Sequence, residues 1–219
     1  MTLDGPRWGP REGKARQLVV ICHGVGADGH DLIDLAPSWA AALPHAAFVA
    51  PDAPERYDMV PEGIPTGRQW FSLADRTPVR LEAGVAVAAE ILGRFIDGEL
   101  KRLGLPADAY AMVGFSQGAM TALYTGLRRA PPPRAILAYS GALLAPDQPV
   151  PSRPPVLLVH GEADEVVPPV RSRLAEQALR DKDVSVESLF CPGLGHGIDE
   201  AGLSAGALFL QRAFADTSA

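Results

Sequence analysis

The sequence predicts an α/β domain: a mostly parallel central sheet with helices on both faces. Three observations carry this: short apolar runs of strand length recur, several lack the alternation of a half-solvated strand, and amphipathic helical stretches separate them. The runs lie at 18–22, 46–50, 109–113, 135–139, 156–159 and 184–190. Strands covered by crossover helices on both faces have this composition, because neither face meets water. Leu81, Val85, Ala88, Leu92 and Phe95 recur at helical spacing and form one face of a long helix ending near Gly104. Met120, Leu123 and Leu127 repeat the pattern after Gly118, Val170, Leu174 and Ala178 after Pro169, and Leu203, Ala207, Leu210 and Phe214 near the C-terminus. Residues 1–16 are expected to form a flexible N-terminal segment, and 17–219 one domain.

The composition, 47% hydrophobic and 21% charged over 219 residues, suits a folded chain with one substantial core. A net charge of −6, with no sustained Lys/Arg cluster, argues against nucleic acid as a partner. Two cysteines, Cys22 and Cys191, make neither a disulfide framework nor a zinc site, which points to a reducing, cytoplasmic setting. The N-terminus lacks the apolar run of a secretory signal. The uncharged stretch 109–127 carries Gly114, Ser116, Gln117, Gly118, Thr121, Thr125 and Gly126, which suits a strand, turn and helix rather than a stable membrane insertion.

Gly and Pro, 22 and 21 residues, make up about a fifth of the chain, so sharp turns are numerous. From 53 to 73 the chain holds Pro54, Pro61, Gly63, Pro65 and Gly67 with no period and ends in Trp70-Phe71. Such a segment reads either as a binding loop or as an irregular surface excursion.

The chemistry concentrates in four of the turns. Gly114-Phe115-Ser116-Gln117-Gly118 follows the run 109–113 and precedes a helix. Glycines on both flanks permit a tight strand-to-helix turn that lifts a serine hydroxyl above the sheet edge, at a helix N-terminus. The plain alternative is a Gly-rich turn with an N-cap serine. A serine hydroxyl needs a base, and His196 stands between Gly195 and Gly197 after the last strand, at the same sheet edge. The imidazole needs a carboxylate to hold its tautomer, and Asp164 follows the run 156–159, with Glu162 and Glu165 as local rivals. Asp199 reads instead as a first-turn acid of the last helix. The order Ser, Asp, His is that of an α/β-hydrolase. The Gly-rich stretch Cys22 to Gly29 follows the first strand, where the amide of Val25, with that of Gln117, would receive an oxyanion. Gly24, Gly26 and Gly29 match no phosphate loop, and Asp52 alone does not make a dinucleotide site.

Together, His23 to Gly29, Gly114 to Gly118, Trp70-Phe71, His160 to Pro168 and Gly195-His196 resemble the phospholipase/carboxylesterase family, which includes acyl-protein thioesterases. The resemblance runs from about residue 18 to 214. It implies an α/β-hydrolase fold without a separate cap domain and hydrolysis of carboxylic esters or thioesters. Ala27-Asp28-Gly29 looks nearer the bacterial carboxylesterase branch than the thioesterases, where an Asp usually follows the position of Gly26 directly. Ser72 stands where many members have Asp, and Cys22 where an aliphatic residue is common.

The expectation is a serine carboxylesterase with Ser116, His196 and Asp164 as triad, acting on a small-molecule ester or thioester without metal or organic cofactor. Trp70, Phe71, Leu73 and Met59 would line an acyl groove, with core burial the competing account. Thioesterase or lysophospholipase activity, and a non-catalytic ligand-binding module on the same scaffold, are the alternatives. A homodimer is left open. Cys-dependent dienelactone-type chemistry is disfavoured, because Ser116 holds the elbow.

Overall fold

The structure, a computed structural model, describes residues 3–215. Along the chain run β1 (Arg7–Trp8), β2 (Gln17–Cys22), α1 (Leu35–Trp39), β3 (Ala46–Val49), β4 (Glu55–Arg56), β5 (Arg68–Gln69) and α2 (Pro78–Leu103). There follow β6 (Tyr110–Phe115), α3 (Gln117–Gly126), β7 (Ile136–Tyr139), β8 (Val156–Gly161), α4 (Val170–Arg180), β9 (Val186–Cys191) and α5 (Glu200–Ala215). The main sheet has the order β1-β3-β2-β6-β7-β8-β9; only β1 runs antiparallel to its neighbour.

The sheet divides the core in two, which is why its strands lack alternation. Leu18, Val20 and Cys22 of β2 join α2 and α3 on one side, while Val19 and Ile21 join Trp39 of α1 and Phe209 and Leu210 of α5 on the other. Tyr110 and Met112 against Ala111 and Val113 repeat the division on β6. Helix α2 starts with Pro78 in its first turn and stops at Gly104, whose left-handed φ of 68° caps it, with Lys101 and Arg102 in the last turn facing the negative end of its dipole.

The strand order reverses direction between β2 and β6, where Cys22, the last residue of β2, pairs with Gly114, one residue before the end of β6. In an open parallel sheet the crevice beyond the carboxyl ends of such a pair is where loops diverge and a site forms.

Four features differ from expectation. The N-terminal segment is anchored rather than flexible from residue 3 onward. Leu3 is buried in the core, β1 extends the sheet beyond β3, and Arg7 binds the buried Glu99 at 2.8 and 3.1 Å; residues 1 and 2 lie outside the described residues. On α4 the stripe Val170, Leu174 faces water, at 52% and 59% exposure, and Ser172, Ala175 and Leu179 face inward, because a buried polar contact of Ser172 outweighs the apolar periodicity. On α5 the buried face is centred on Gly202, Gly206, Phe209 and Leu210; a Cβ at Gly206 would overlap the Tyr139 hydroxyl, so small residues let the helix lie close. Finally, segment 53–73 contains the antiparallel pair β4–β5.

Candidate active site

The G-x-S-x-G turn is built from close backbone approaches. A Cβ at Gly114 would run into the backbone of Gly118 and Ala119, and one at Gly118 into the carbonyls of Cys22 and His23. The first turn of α3 therefore lies directly on the end of β2. Between the glycines Ser116 takes φ 54° and ψ −117°, a conformation that costs a non-glycine residue about 1–3 kcal/mol. Its amide donates to the Tyr139 carbonyl at 2.9 Å, and its carbonyl accepts from Ala119 and Met120. The side chain, 6% exposed, is thereby carried to the sheet edge rather than into the core.

The turn after β2 runs alongside. A Cβ on Gly24 would stand 3.3 Å from the Phe115 ring and 3.6 Å from Ser116 Cβ. Buried His23 fixes this turn. The Ala53 amide donates to its Nε2 at 3.0 Å, so the proton sits on Nδ1, 2.7 Å from the Gly24 carbonyl. Burial holds the His23 pKa below the ordinary value, against the Gly24 carbonyl, so the ring is neutral. The amides of Val25 and Gln117 have no acceptor among the described hydrogen bonds, which leaves two donors at the mouth of the turn.

The aspartate and histidine loops are stitched to each other. Glu162 N–H donates to Cys191 O and Ala163 N–H to Leu194 O, both at 2.9 Å, and a Cβ at Gly161 would overlap the carbonyls of Leu194 and Gly195. Gly193, Gly195 and Gly197 have no neighbour within 4 Å of an added Cβ, so the tight fit around His196 lies across from it at Gly161.

Asp164, buried, accepts the amides of Val166 and Val167 on Oδ1, each at 2.9 Å, and binds His196 Nδ1 through Oδ2 at 2.7 Å. Burial would raise its pKa, but the bonds from His196 and the two amides outweigh this and hold the carboxyl below its ordinary value. The His196 side chain is 18% exposed, and its ring lies against Phe115 with centroids 4.8 Å apart. Glu162 pairs with Arg173 and Glu165 is exposed, while Asp199 accepts the Gly202 amide at the start of α5; Asp164 is the acid beside the imidazole.

The remaining candidates fall apart spatially. Trp70 and Phe71, each 1% exposed, belong to the core on the α2–α3 side, Leu73 is partly buried against that core, and Met59 is exposed. Segment 53–73 is tied down along its length. Arg56 donates to the carbonyls of Tyr57, Val60, Pro61 and Ile64, Arg68 to those of Ala53 and Pro54, and Gly26 and Ala27 exchange backbone bonds with Arg68. Its end is clamped to the elbow by Gln117, whose amide oxygen accepts from Trp70 N at 2.9 Å and whose amide nitrogen donates to Phe71 O at 2.7 Å. The Trp70 indole donates to His23 O.

Sequence reasoning assigned no role to this clamp, to His23 or to His160. His160 is buried with Nε2 at 2.8 Å from the Val167 carbonyl and 3.2 Å from Asp164 Oδ2, so Nε2 carries the proton, and Nδ1 faces Ser172 Oγ at 2.6 Å. The available signal was a repeated doublet: His23-Gly24 directly follows a buried strand and His160-Gly161 ends one. Among the described residues no group of three or more His, Cys, Asp or Glu side chains is placed to hold a metal ion.

The sequence pattern of the phospholipase/carboxylesterase family matches residues 9–213. The chain belongs to this family. It is an α/β-hydrolase and a serine hydrolase. Esterase YpfH of Escherichia coli is 28% identical over 84% of this chain and 78% of the relative. Acyl-protein thioesterase 1 of Schizosaccharomyces pombe is 33% identical over 74% of each chain. The crystal structure of esterase PE8 covers 97% of this chain, and 99% of its own, at a TM-score of 0.89 and 39% identity.

Within this phospholipase/carboxylesterase member a recess of about 250 Å³ opens beside His196, bounded by Leu32, Leu35, Phe115, Ile198 and Leu203. A larger concavity, about 480 Å³, lies between α2 and α3 against Tyr124, Arg128 and Arg129, away from all the loops above. No helix among the described residues is long and apolar enough to cross a membrane.

Proposed function

We propose that the protein is a serine carboxylesterase in which Ser116 is the nucleophile, His196 the general base and acid, and Asp164 the group that orients the imidazole. The observation that carries this is the 2.7 Å contact of His196 Nδ1 with Asp164 Oδ2. Oδ1 is already occupied by two backbone amides, so Oδ2 is the oxygen that faces the imidazoles, His160 Nε2 at 3.2 Å and His196 Nδ1 at 2.7 Å. Asp164 is ionised, Nδ1 therefore carries the ring proton, and Nε2 is left with a free lone pair. The ring is held against Phe115, the residue preceding the nucleophile.

In the first half-reaction Ser116 Oγ bonds to the ester carbonyl carbon while its proton passes to His196 Nε2. The carbonyl oxygen becomes an oxyanion received by the Val25 and Gln117 amides. The bond from carbon to the leaving oxygen then breaks, and Nε2 returns the proton to that oxygen, releasing the alcohol. Water attacks the acyl-serine with its proton taken by Nε2; the Ser116 Oγ–carbon bond breaks, Oγ recovers the proton, and the carboxylic acid leaves. Thioesters follow the same steps with a sulfur leaving atom, a second reading favoured by the similarity to a thioesterase. A cytoplasmic setting belongs to the proposal, supported by two free, buried cysteines.

Labelling by a fluorophosphonate, together with hydrolysis of short-chain esters, tests the assignment. Wild-type protein should take up one equivalent, Ser116→Ala none, and Asp164→Asn should lose about 10⁴-fold in kcat. Labelling that persists in Ser116→Ala would refute the nucleophile.

A further inference from the structure

We propose that the recess beside His196 receives the leaving group of the ester and that it selects an uncharged, apolar alcohol of about the size of a benzyl group. This rests on the catalytic assignment above and adds the substrate class. The general acid must return its proton to the leaving oxygen, so that oxygen stands at His196 Nε2 and the body of the alcohol extends past the imidazole. The recess lies next to the imidazole, on residues that touch or follow it. Its walls include Phe115, whose ring touches His196, and Gly197 and Ile198, which follow His196 in the chain. Leu32 and Leu35, with Leu203 of α5, complete the apolar lining.

Size and chemistry define the occupant. A dry apolar cavity of about 150 Å³ admits benzene, so about 250 Å³ accommodates an aromatic ring with one further small group. Gly197 has normal φ and open space where a Cβ would be, which keeps the side next to the imidazole clear. Asp31 is the one charged side chain bounding the recess, and it is exposed. A carboxylate or phosphate on the leaving alcohol would face that charge inside apolar walls, unpaired and partly desolvated. The glycerophospho group of a lysophospholipid is disfavoured on both counts.

The test compares acetates of methanol, benzyl alcohol and 4-carboxybenzyl alcohol. Each variant is read as its change in kcat/KM ratio from wild type, so that intrinsic ester reactivity cancels. Wild-type protein is expected to prefer benzyl over methyl acetate by tenfold or more, since one methylene in an apolar pocket changes the ratio about 10–200-fold. Leu35→Trp, which fills the recess, should lower the benzyl-to-methyl ratio about tenfold. Leu35→Ala, which enlarges it and guards against misfolding of the tryptophan variant, should shift preference toward 4-tert-butylbenzyl over benzyl acetate. Asp31→Asn should raise the 4-carboxybenzyl-to-benzyl ratio about fivefold. Unchanged ratios in both Leu35 variants, with fluorophosphonate labelling intact, would overturn the recess and leave the catalytic assignment standing. Absence of labelling in wild-type protein would overturn the catalytic assignment and the recess with it.

Discussion

Replacing Gln117 by Met isolates what the clamp contributes. The two side chains are similar in volume, so no cavity opens, and the backbone amide stays in place. What is lost is one acceptor for Trp70 N–H and one donor for Phe71 O, at 2.9 and 2.7 Å, both in buried surroundings. A buried backbone group left without a partner costs about 1–3 kcal/mol, so the pair amounts to about 3 kcal/mol after partial relaxation of the loop. That is a large fraction of the roughly 5–15 kcal/mol by which a domain is stable. For a chain of this length 1 kcal/mol moves Tm by about 2–4 °C, so Gln117→Met should melt about 6–12 °C lower. Scanning calorimetry or circular dichroism measures it, with a urea titration to show that the m-value is unchanged. A drop below about 2 °C would refute the reasoning, because it would mean that Trp70 and Phe71 satisfy their backbone groups without Gln117.

Three further outcomes follow from the same geometry. Ser116→Gly removes a φ penalty of about 2 kcal/mol and costs up to about 1 kcal/mol in unfolded-state entropy, a net gain of about 1 kcal/mol, so it should raise Tm by about 2–4 °C while abolishing turnover; a lower Tm would argue against strain at the elbow. The Asp164 carboxyl is held below its ordinary value by His196 and the Val167 and Val166 amides against the opposing effect of burial. Its contribution is therefore complete above the unfolded value of about 3.9 and is lost as pH falls through the lower folded value, so Asp164→Asn should flatten the acid limb of stability below about pH 4; an equally steep limb would count against it. Glu99 is buried between Arg7 and Arg102, both partly exposed, and Glu99→Gln should cost about 1–2 kcal/mol, less than the roughly 3–5 kcal/mol of a fully buried pair, with the difference between variant and wild type disappearing in strong acid. A difference that persists at low pH would show that shape and not charge holds β1 in place.

Strands β2, β3, β6, β7 and β8 were legible because burial on both faces writes itself as uninterrupted apolar runs, and α2 because its inward face is long and mostly apolar. The faces of α4 and α5 were not. Ser172 turns inward to meet His160, and Gly202 and Gly206 turn inward to let Tyr139 approach, and neither type of residue scores in a hydrophobic pattern. Strand β1 was hidden because two residues carry no periodicity, and its fixing contact, Arg7 with Glu99, spans 92 residues. At the site, Ser116, Asp164 and His196 were legible as residues beyond strand ends, since a parallel sheet gathers those ends on one edge. Trp70 and Phe71 read as groove residues because an aromatic pair after a Gly/Pro loop has the same letters whether it faces a ligand or the core. Gln117 decides the matter by pulling their backbone inward, a contact across 46 and 47 residues that no local pattern encodes.

Under the proposed assignment, the glycines divide chemistry and selectivity between the two flanks of the site. On the nucleophile side, Gly114 and Gly118 each press on main chain, and a side chain at either would require strand β2 or helix α3 to move. Ser116 can occupy its costly conformation only because those contacts over-determine it. On the imidazole side, Gly195 and Gly197 face open space at ordinary φ, so side chains of many sizes fit there without disturbing Asp164 or the stitched loops behind it. A site arranged in this way holds the reacting geometry in backbone that cannot change and leaves the leaving-group flank free to change. Substitutions at 197, 35 and 203 should therefore alter which alcohol is accepted, whereas substitutions at 114 or 118 should abolish the folded elbow for every substrate alike.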